Sequence, residues 1–127
     1  MSDRKSVLLL DRDPSMRREL QALLREGGYD VEPVSRVSDA VKKAKELPIG
    51  CIIMDASWAS VDGCEAVEIM KSIMPAVPII VTTSENTKDL EAEIRKKNVF
   101  YYYIKSFDRG ELHLAVKSAF KHWKEAS

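Results

Sequence analysis

Four residues whose side chains suit phosphoryl chemistry stand at the ends of apolar segments. Asp11 and Asp55 each follow directly after an apolar run, Thr83 closes a third run, and Lys105 follows a fourth. Phosphoryl transfer needs the attacking and leaving atoms in line with phosphorus and the charge on the phosphoryl oxygens neutralised. The protein contributes little covalent chemistry beyond this. A carboxylate beside a hydroxyl and an ammonium therefore suits a phosphoryl acceptor.

The two acids among these residues need a cation between them if they lie close together. If Asp11 and Asp55 lie close together, each raises the pKa of the other unless a cation stands between them. A divalent metal ion would neutralise the pair and would also polarise a phosphoryl oxygen. We therefore expect a divalent cation at this site.

The elements that must position these residues follow from the hydrophobic pattern. Apolar runs of strand length alternate with longer stretches of helical period, which predicts five strand–helix units. Because strands separated by helices are parallel with right-handed crossovers, the pattern indicates an α/β fold. We predict a flavodoxin-like (βα)5 doubly wound parallel sheet with strand order 2-1-3-4-5, in which ligand chemistry sits at the carboxyl ends of the strands. The predicted strands are Ser6–Leu10, Tyr29–Val34, Ile49–Met54, Val77–Thr82 and Phe100–Ile104.

Helix starts are predicted from capping residues. Asp13 followed by Pro14 is typical of an N-cap and the first helical position. Ser38 is predicted to cap the second helix. Asp108 and Glu111 have the spacing of a capping box, with Asp in place of Ser or Thr.

The fourth helix is predicted to be weakly anchored. It begins at Asn86 or Thr87 and ends near Asn98, a residue type that tolerates the left-handed conformation. Its apolar side chains are few, chiefly Leu90 and Ile94. A helix with so little buried surface should be loosely held.

Composition limits the classes of protein that remain. The 127 residues fit a single domain over 1–127, and 20 basic against 20 acidic residues give a formal net charge of zero. This balance argues against a dedicated nucleic-acid binder, which would show a basic face. The apolar run Val7–Leu10 is too short for a signal peptide or membrane span, so we expect a cytoplasmic protein with no membrane partner.

The sequence resembles the receiver domain of bacterial two-component systems, from about Val7 to Phe120. Each motif that carries the resemblance is short and weak alone, but five in the expected order are specific. The motifs are Leu-Leu-Leu-Asp11, Ile-Ile-Met-Asp55, Asp62-Gly63, Val-Thr-Thr83 and Tyr-Ile-Lys105.

The resemblance implies a metal site beside the phosphoacceptor. Asp55 matches the phosphoacceptor, Asp11 matches one of the acidic pair that holds Mg²⁺, and Ser57 matches the position whose backbone carbonyl binds the metal. Arg12 departs from the family, which has a second, metal-ligating carboxylate there; a guanidinium cannot ligate a cation and repels it. Either Arg12 points away and leaves a weakened Mg²⁺ site, or it pairs with Asp55 or Asp11 in place of the metal.

The resemblance also implies a switch. Thr83 matches the hydroxyl that senses the phosphoryl group, Lys105 the invariant lysine, and Tyr102 the aromatic whose rotamer reports activation. Ser106 stands where the family has a proline after a cis bond. Because a cis bond before a non-proline residue costs roughly 2.5–4 kcal/mol, we predict a trans Lys105–Ser106 bond and, with it, a displaced lysine or an altered loop.

Two functional hypotheses remain open. In the first, the chain is a non-enzymatic switch, capable at most of self-phosphorylation from small phosphodonors and autodephosphorylation. A histidine kinase or phosphotransfer protein phosphorylates Asp55, and the face formed by helix four, strand five and helix five changes its affinity for an unknown downstream protein. In the second, the chain is a pseudo-receiver that binds partners independently of phosphorylation. Direct nucleic-acid binding is not expected, and a homodimer through the last two helices is possible.

Overall fold

The computed structural model describes residues 6–56, 63–84, 88–106 and 108–126. These residues form one parallel sheet in the order β2-β1-β3-β4-β5, which confirms the predicted fold class and strand order. The strands are β1 Ser6–Leu10, β2 Asp30–Val34, β3 Ile49–Asp55, β4 Ile79–Thr83 and β5 Tyr101–Ile104.

Each strand is followed by a helix, and the helices cover both faces of the sheet. They are α1 Pro14–Glu26, α2 Val37–Glu46, α3 Gly63–Ile73, α4 Lys88–Arg95 and α5 Arg109–Ala126. None of these helices is long and apolar enough to cross a membrane.

The sheet separates two apolar clusters, which explains why its central strands read as unbroken apolar runs. Alternate residues of a strand point to opposite faces. In β1, Leu8 and Leu10 pack into the cluster that includes α2, α3 and α4 residues, whereas Val7 and Leu9 pack into the cluster that includes α1 and α5 residues. All four side chains are fully buried.

The helix starts agree with the sequence in part. Asp13 is the N-cap of α1, and its Oδ1 accepts a hydrogen bond from the Ser15 amide at 3.0 Å. Asp108 accepts one from the Gly110 amide at 3.2 Å, directly before α5. The prediction that Ser38 caps α2 is wrong: that helix begins at Val37, after an extended Arg36 whose side chain makes no capping bond.

Other local features match their sequence signals. Asn98 adopts the left-handed conformation with φ 59°, and Gly28 does so after α1 with φ 92°. Pro33 lies in β2, an edge strand, where the missing amide hydrogen disrupts no second ladder. In α4, Ile94 is fully buried and Leu90 only partly, as the weak apolar pattern predicts.

Candidate functional site

Three charged side chains meet at the carboxyl edge of the sheet. The Lys105 ammonium lies 2.9 Å from Oδ2 of Asp11 and 3.4 Å from Oδ2 of Asp55. Asp11 follows β1, Asp55 ends β3 and Lys105 follows β5. The parallel sheet brings these strand ends together although the residues are far apart in sequence. All three residues are buried, with exposed fractions of 1%, 5% and 7%.

The two carboxylates of this cluster share the Lys105 ammonium, and they also act on each other. Burial raises the pKa of Asp11, and the charge of Asp55 adds to that rise, while Lys105 and the amide of Asp13 oppose it. Oδ2 of Asp11 lies 2.9 Å from the Lys105 ammonium and accepts no hydrogen bond from any other described residue. A buried carboxylate whose pKa is raised is a suitable ligand for a further cation.

The turn after β1 fixes Asp11 from three directions. Its amide donates to the Val34 carbonyl at 3.1 Å, and its carbonyl accepts from Nη1 of Arg17 at 2.8 Å. Its Oδ1 accepts from the amide of Asp13 at 2.9 Å. Because the side chain of Asp13 itself caps α1, that residue does not replace the acid missing at position 12.

Thr83 and Tyr102 form a second, smaller contact at the same edge. Both are buried, and their hydroxyls share a hydrogen bond. The pKa of Tyr102 is raised mainly by burial and also by the charge of Glu91, with Arg95 and the Thr83 hydroxyl opposing the rise. The Arg95 guanidinium lies over the Tyr102 ring at 5.7 Å. The predicted switch residues are therefore in contact with each other and with α4.

Thr82 is a residue of this edge to which the sequence assigned no role. It lies opposite Asp55 in the β3–β4 register, whereas Thr83 is one position beyond. Its side chain is 1% exposed, and Oγ1 finds no hydrogen-bond partner among the described residues. The alternation of strand residues puts Thr82 and Thr83 on opposite faces. The sequence could therefore have shown that the hydroxyls of Thr82 and Thr83 point to opposite faces of the sheet.

Lys105 and the peptide bond that follows it lie directly after β5. No peptide bond in the described ranges is cis, so the bond from Lys105 to Ser106 is trans as predicted. Of the two consequences predicted from it, a displaced lysine is wrong, because the ammonium contacts both carboxylates, whereas an altered loop stays a prediction.

Two residues of the expected metal site remain predictions. Ser57 lies outside the described residues. Arg12 is solvent-exposed, and the cation seen on both acids is Lys105.

A buried acidic pair and an ammonium at the carboxyl edge of a parallel (βα)5 sheet are the features expected of a receiver domain. The family model described as "Response regulator receiver domain" matches residues 7–117. The chain belongs to this family, whose members act in two-component signal transduction.

Particular relatives agree with this assignment. The chain is similar to "Transcriptional regulatory protein ZraR" of Klebsiella oxytoca, with 31% identity over 116 residues. That match covers 91% of this chain and 26% of the relative, so the chain spans about a quarter of the curated relative's length.

Solved structures support the fold independently. A CheY-like receiver domain protein from Methanospirillum hungatei JF-1 superposes with a TM-score of 0.90 at 17% identity, covering 98% of this chain and 100% of the other. The beryllofluoride-activated NtrC4 receiver domain dimer gives a TM-score of 0.85 at 29% identity, covering 93% and 98%.

Proposed function

We propose that this receiver domain accepts a phosphoryl group on Asp55. The observation that carries the proposal is the buried ammonium of Lys105, which lies within 3.4 Å of the Asp55 carboxylate. One carboxylate oxygen attacks phosphorus, the bond from phosphorus to the donor atom breaks, and the leaving group takes up a proton. With phosphoramidate the products are an acyl phosphate and ammonia. Lys105 neutralises a phosphoryl oxygen in this step, and Thr83 donates a hydrogen bond to another.

The residues present fit Mg²⁺. This ion is usually held by one or two carboxylates and completed by water and phosphate oxygens. Asp11 and Asp55 supply the carboxylates, and because burial and the charge of Asp55 raise the pKa of Asp11, a cation bound to both acids would oppose that rise. The ion would neutralise phosphoryl oxygens, and the carbonyl of Ser57 is a proposed further ligand.

The route from Asp55 to a partner is proposed to run through Tyr102. Thr83 would turn toward a phosphoryl oxygen and release its hydrogen bond to Tyr102. Tyr102 also lines a groove of about 390 Å³ that includes Glu91 and Arg95 of α4 and Glu111 of α5. A change of its rotamer would reshape this groove. The face formed by α4, β5 and α5 is therefore the proposed site of altered partner binding.

Upstream and downstream partners follow from the family at a general level. Response regulators interact with histidine kinases and with effectors. For this chain we propose a histidine kinase or phosphotransfer protein as donor, an unidentified downstream protein as target, and a cytoplasmic location. Homodimerisation and the lack of a direct nucleic-acid contact remain predictions.

Incubation with phosphoramidate and Mg²⁺ followed by intact-protein mass spectrometry tests the proposal. We expect the mass to increase by one phosphoryl group, and we expect Asp55→Asn to abolish the gain. Asp39→Asn, which removes an exposed carboxylate of α2, is the matched control and should retain it. A wild-type protein that gains no phosphoryl group while folded would favour the phosphorylation-independent alternative.

A further inference from the structure

The guanidinium of Arg109 is bonded to the backbone of Lys105. Arg109 is the first residue of α5, and its Nη1 donates to the Lys105 carbonyl oxygen. The same nitrogen donates to the Tyr103 hydroxyl at 3.0 Å. That hydroxyl in turn donates to the Asp108 carbonyl at 3.1 Å. One side chain therefore ties together the end of β5 and the start of α5.

The other edge of the guanidinium reaches α1. Nε of Arg109 lies 2.5 Å from Oε2 of Glu19, and Nη2 lies 3.6 Å from the sulfur of Met16. The hydrogen bond that Arg109 donates to Glu19 is the main cause that raises the pKa of Arg109. The planar fork of arginine can make several such bonds at once, which a single ammonium cannot do. Arg109 thus links the β5–α5 connection to a helix on the same side of the sheet.

The backbone position of Lys105 matters because its side chain is long and flexible. Four methylene groups separate the backbone from the ammonium, and their rotamer freedom must be lost to hold one geometry. The next residue, Ser106, is exposed and has no ring to restrict the chain. The Lys105 amide donates to the Thr83 carbonyl at 2.8 Å, and the Lys105 carbonyl is held by Arg109. Both polar backbone groups of Lys105 are therefore bonded.

The position of this arginine is otherwise unfavourable. A positive charge in the first turn of a helix opposes the helix dipole, which favours negative groups there. An arginine at the start of α5 that made no other contacts would therefore not be stabilised by the helix dipole. Its contacts with Lys105, Tyr103 and Glu19 offset the cost and explain why a cation stands there.

We propose that Arg109 is a positioning residue that fixes the backbone of Lys105 and so holds its ammonium on Asp11 and Asp55. Arg109 itself touches neither carboxylate. Its effect on phosphorylation rests on the proposed function, but its effect on the ammonium does not. The two can therefore be tested separately.

The direct test observes the lysine ammonium by NMR. Protein labelled with ¹⁵N at lysine Nζ should show one ammonium signal protected from hydrogen exchange, which Lys105→Arg removes and thereby assigns. In Arg109→Ala we expect its exchange to be about tenfold faster or more, because the ammonium is no longer held in place. Arg25→Ala, which removes an exposed guanidinium near the end of α1, is the matched control and should leave the signal unchanged.

A second variant guards against simple loss of folding. Arg109→Lys keeps a positive charge opposite Glu19 but offers a single nitrogen in place of the fork, so it should also lose protection at Lys105. If Arg109→Ala and Arg109→Lys are folded and their Lys105 ammonium is as protected as in the wild type, the proposal is wrong. A fall in thermal stability with an unchanged signal would likewise reduce Arg109 to a structural role and overturn it.

Phosphorylation kinetics supply the functional readout. In Arg109→Ala we expect the maximal rate of Asp55 phosphorylation to fall about tenfold while the phosphodonor KM stays near the wild-type value, because a misplaced lysine affects the transition state more than donor binding. An unchanged maximal rate contradicts the proposal. If wild-type Asp55 gains no phosphoryl group at all, the proposed function fails, whereas the ammonium signal still tests Arg109.

Discussion

The ammonium of Lys105 lies closer to Asp11 than to Asp55, at 2.9 Å against 3.4 Å. The lysine is therefore paired first with the acid that is not the proposed phosphoacceptor. A phosphoryl group on Asp55, as proposed, would lie within reach of the same ammonium.

Removal of the ammonium should strongly destabilise the fold. Lys105→Met leaves two buried carboxylates without their cation, and breaking a buried ion pair by removing one partner costs about 3–5 kcal/mol. Urea denaturation at neutral pH measures this loss. Lys43→Met removes one partner of an exposed pair with Glu32 and should change the free energy of unfolding by about 1 kcal/mol or less. Equal losses in the two variants would contradict the buried pairing.

The pH dependence of stability should show a contribution from Asp11. Burial raises the pKa of this carboxyl above its ordinary value of 3.8, so the folded state holds the proton more tightly than the unfolded state. The contribution of Asp11 to the free energy of unfolding is then greatest below 3.8 and decreases as the pH rises through the raised pKa.

Asp11→Asn removes this dependence. The free energy of unfolding of the variant, minus that of the wild type, should increase between about pH 3 and about pH 7. Urea denaturation across this range measures the difference, with Asp39→Asn as the exposed control. A difference that decreases with pH would mean that Lys105 lowers the pKa of Asp11 more than burial raises it.

Thr82 should be replaceable by valine with a gain in stability. Its buried Oγ1 has no hydrogen-bond partner among the described residues, and an unsatisfied buried hydroxyl costs about 1–3 kcal/mol. Thr82→Val keeps the shape and removes that cost, so we expect stabilisation of about 1 kcal/mol, read from denaturant midpoints. Destabilisation of similar size would show that the hydroxyl has a partner in solution.

Thr83 and Tyr102 should be coupled energetically. Thr83→Val and Tyr102→Phe each remove one partner of their shared hydrogen bond, and each should destabilise the fold by about 1 kcal/mol. In the double variant the losses should be less than additive, with a coupling energy of at least about 0.5 kcal/mol. Strict additivity would contradict the contact on which the proposed switch depends.

The sheet was predictable from sequence because its strands are buried on both faces. Runs such as Ser6–Leu10 and Ile49–Met54 are apolar throughout, and the acids that follow them mark the strand ends. The meeting of Asp11, Asp55 and Lys105 then follows from parallel strands alone. The start of α2 was missed because Arg36 takes an N-cap position without a capping side chain, so no sequence signal marks it.

The geometry around Lys105 was not predictable in the same way. The absence of a proline at Ser106 suggested a displaced lysine or an altered loop, but the lysine is held by the Thr83 carbonyl and by Arg109 on α5. The first contact continues the pairing of β4 with β5, and the second depends on how α5 packs against the sheet, which no local motif reports. The sequence also does not show that the Thr82 hydroxyl lacks a partner among the described residues, because hydrogen-bond partners are set by tertiary contacts.

The most direct test of the central claim is the chemical mapping of the phosphorylated residue. Borohydride reduces an acyl phosphate on aspartate to homoserine, which tandem mass spectrometry locates in the sequence. After treatment with phosphoramidate and Mg²⁺, we predict homoserine at position 55, and none in protein that was not exposed to the donor. Conversion confined to other carboxylates, with aspartate unchanged at position 55, would contradict the account.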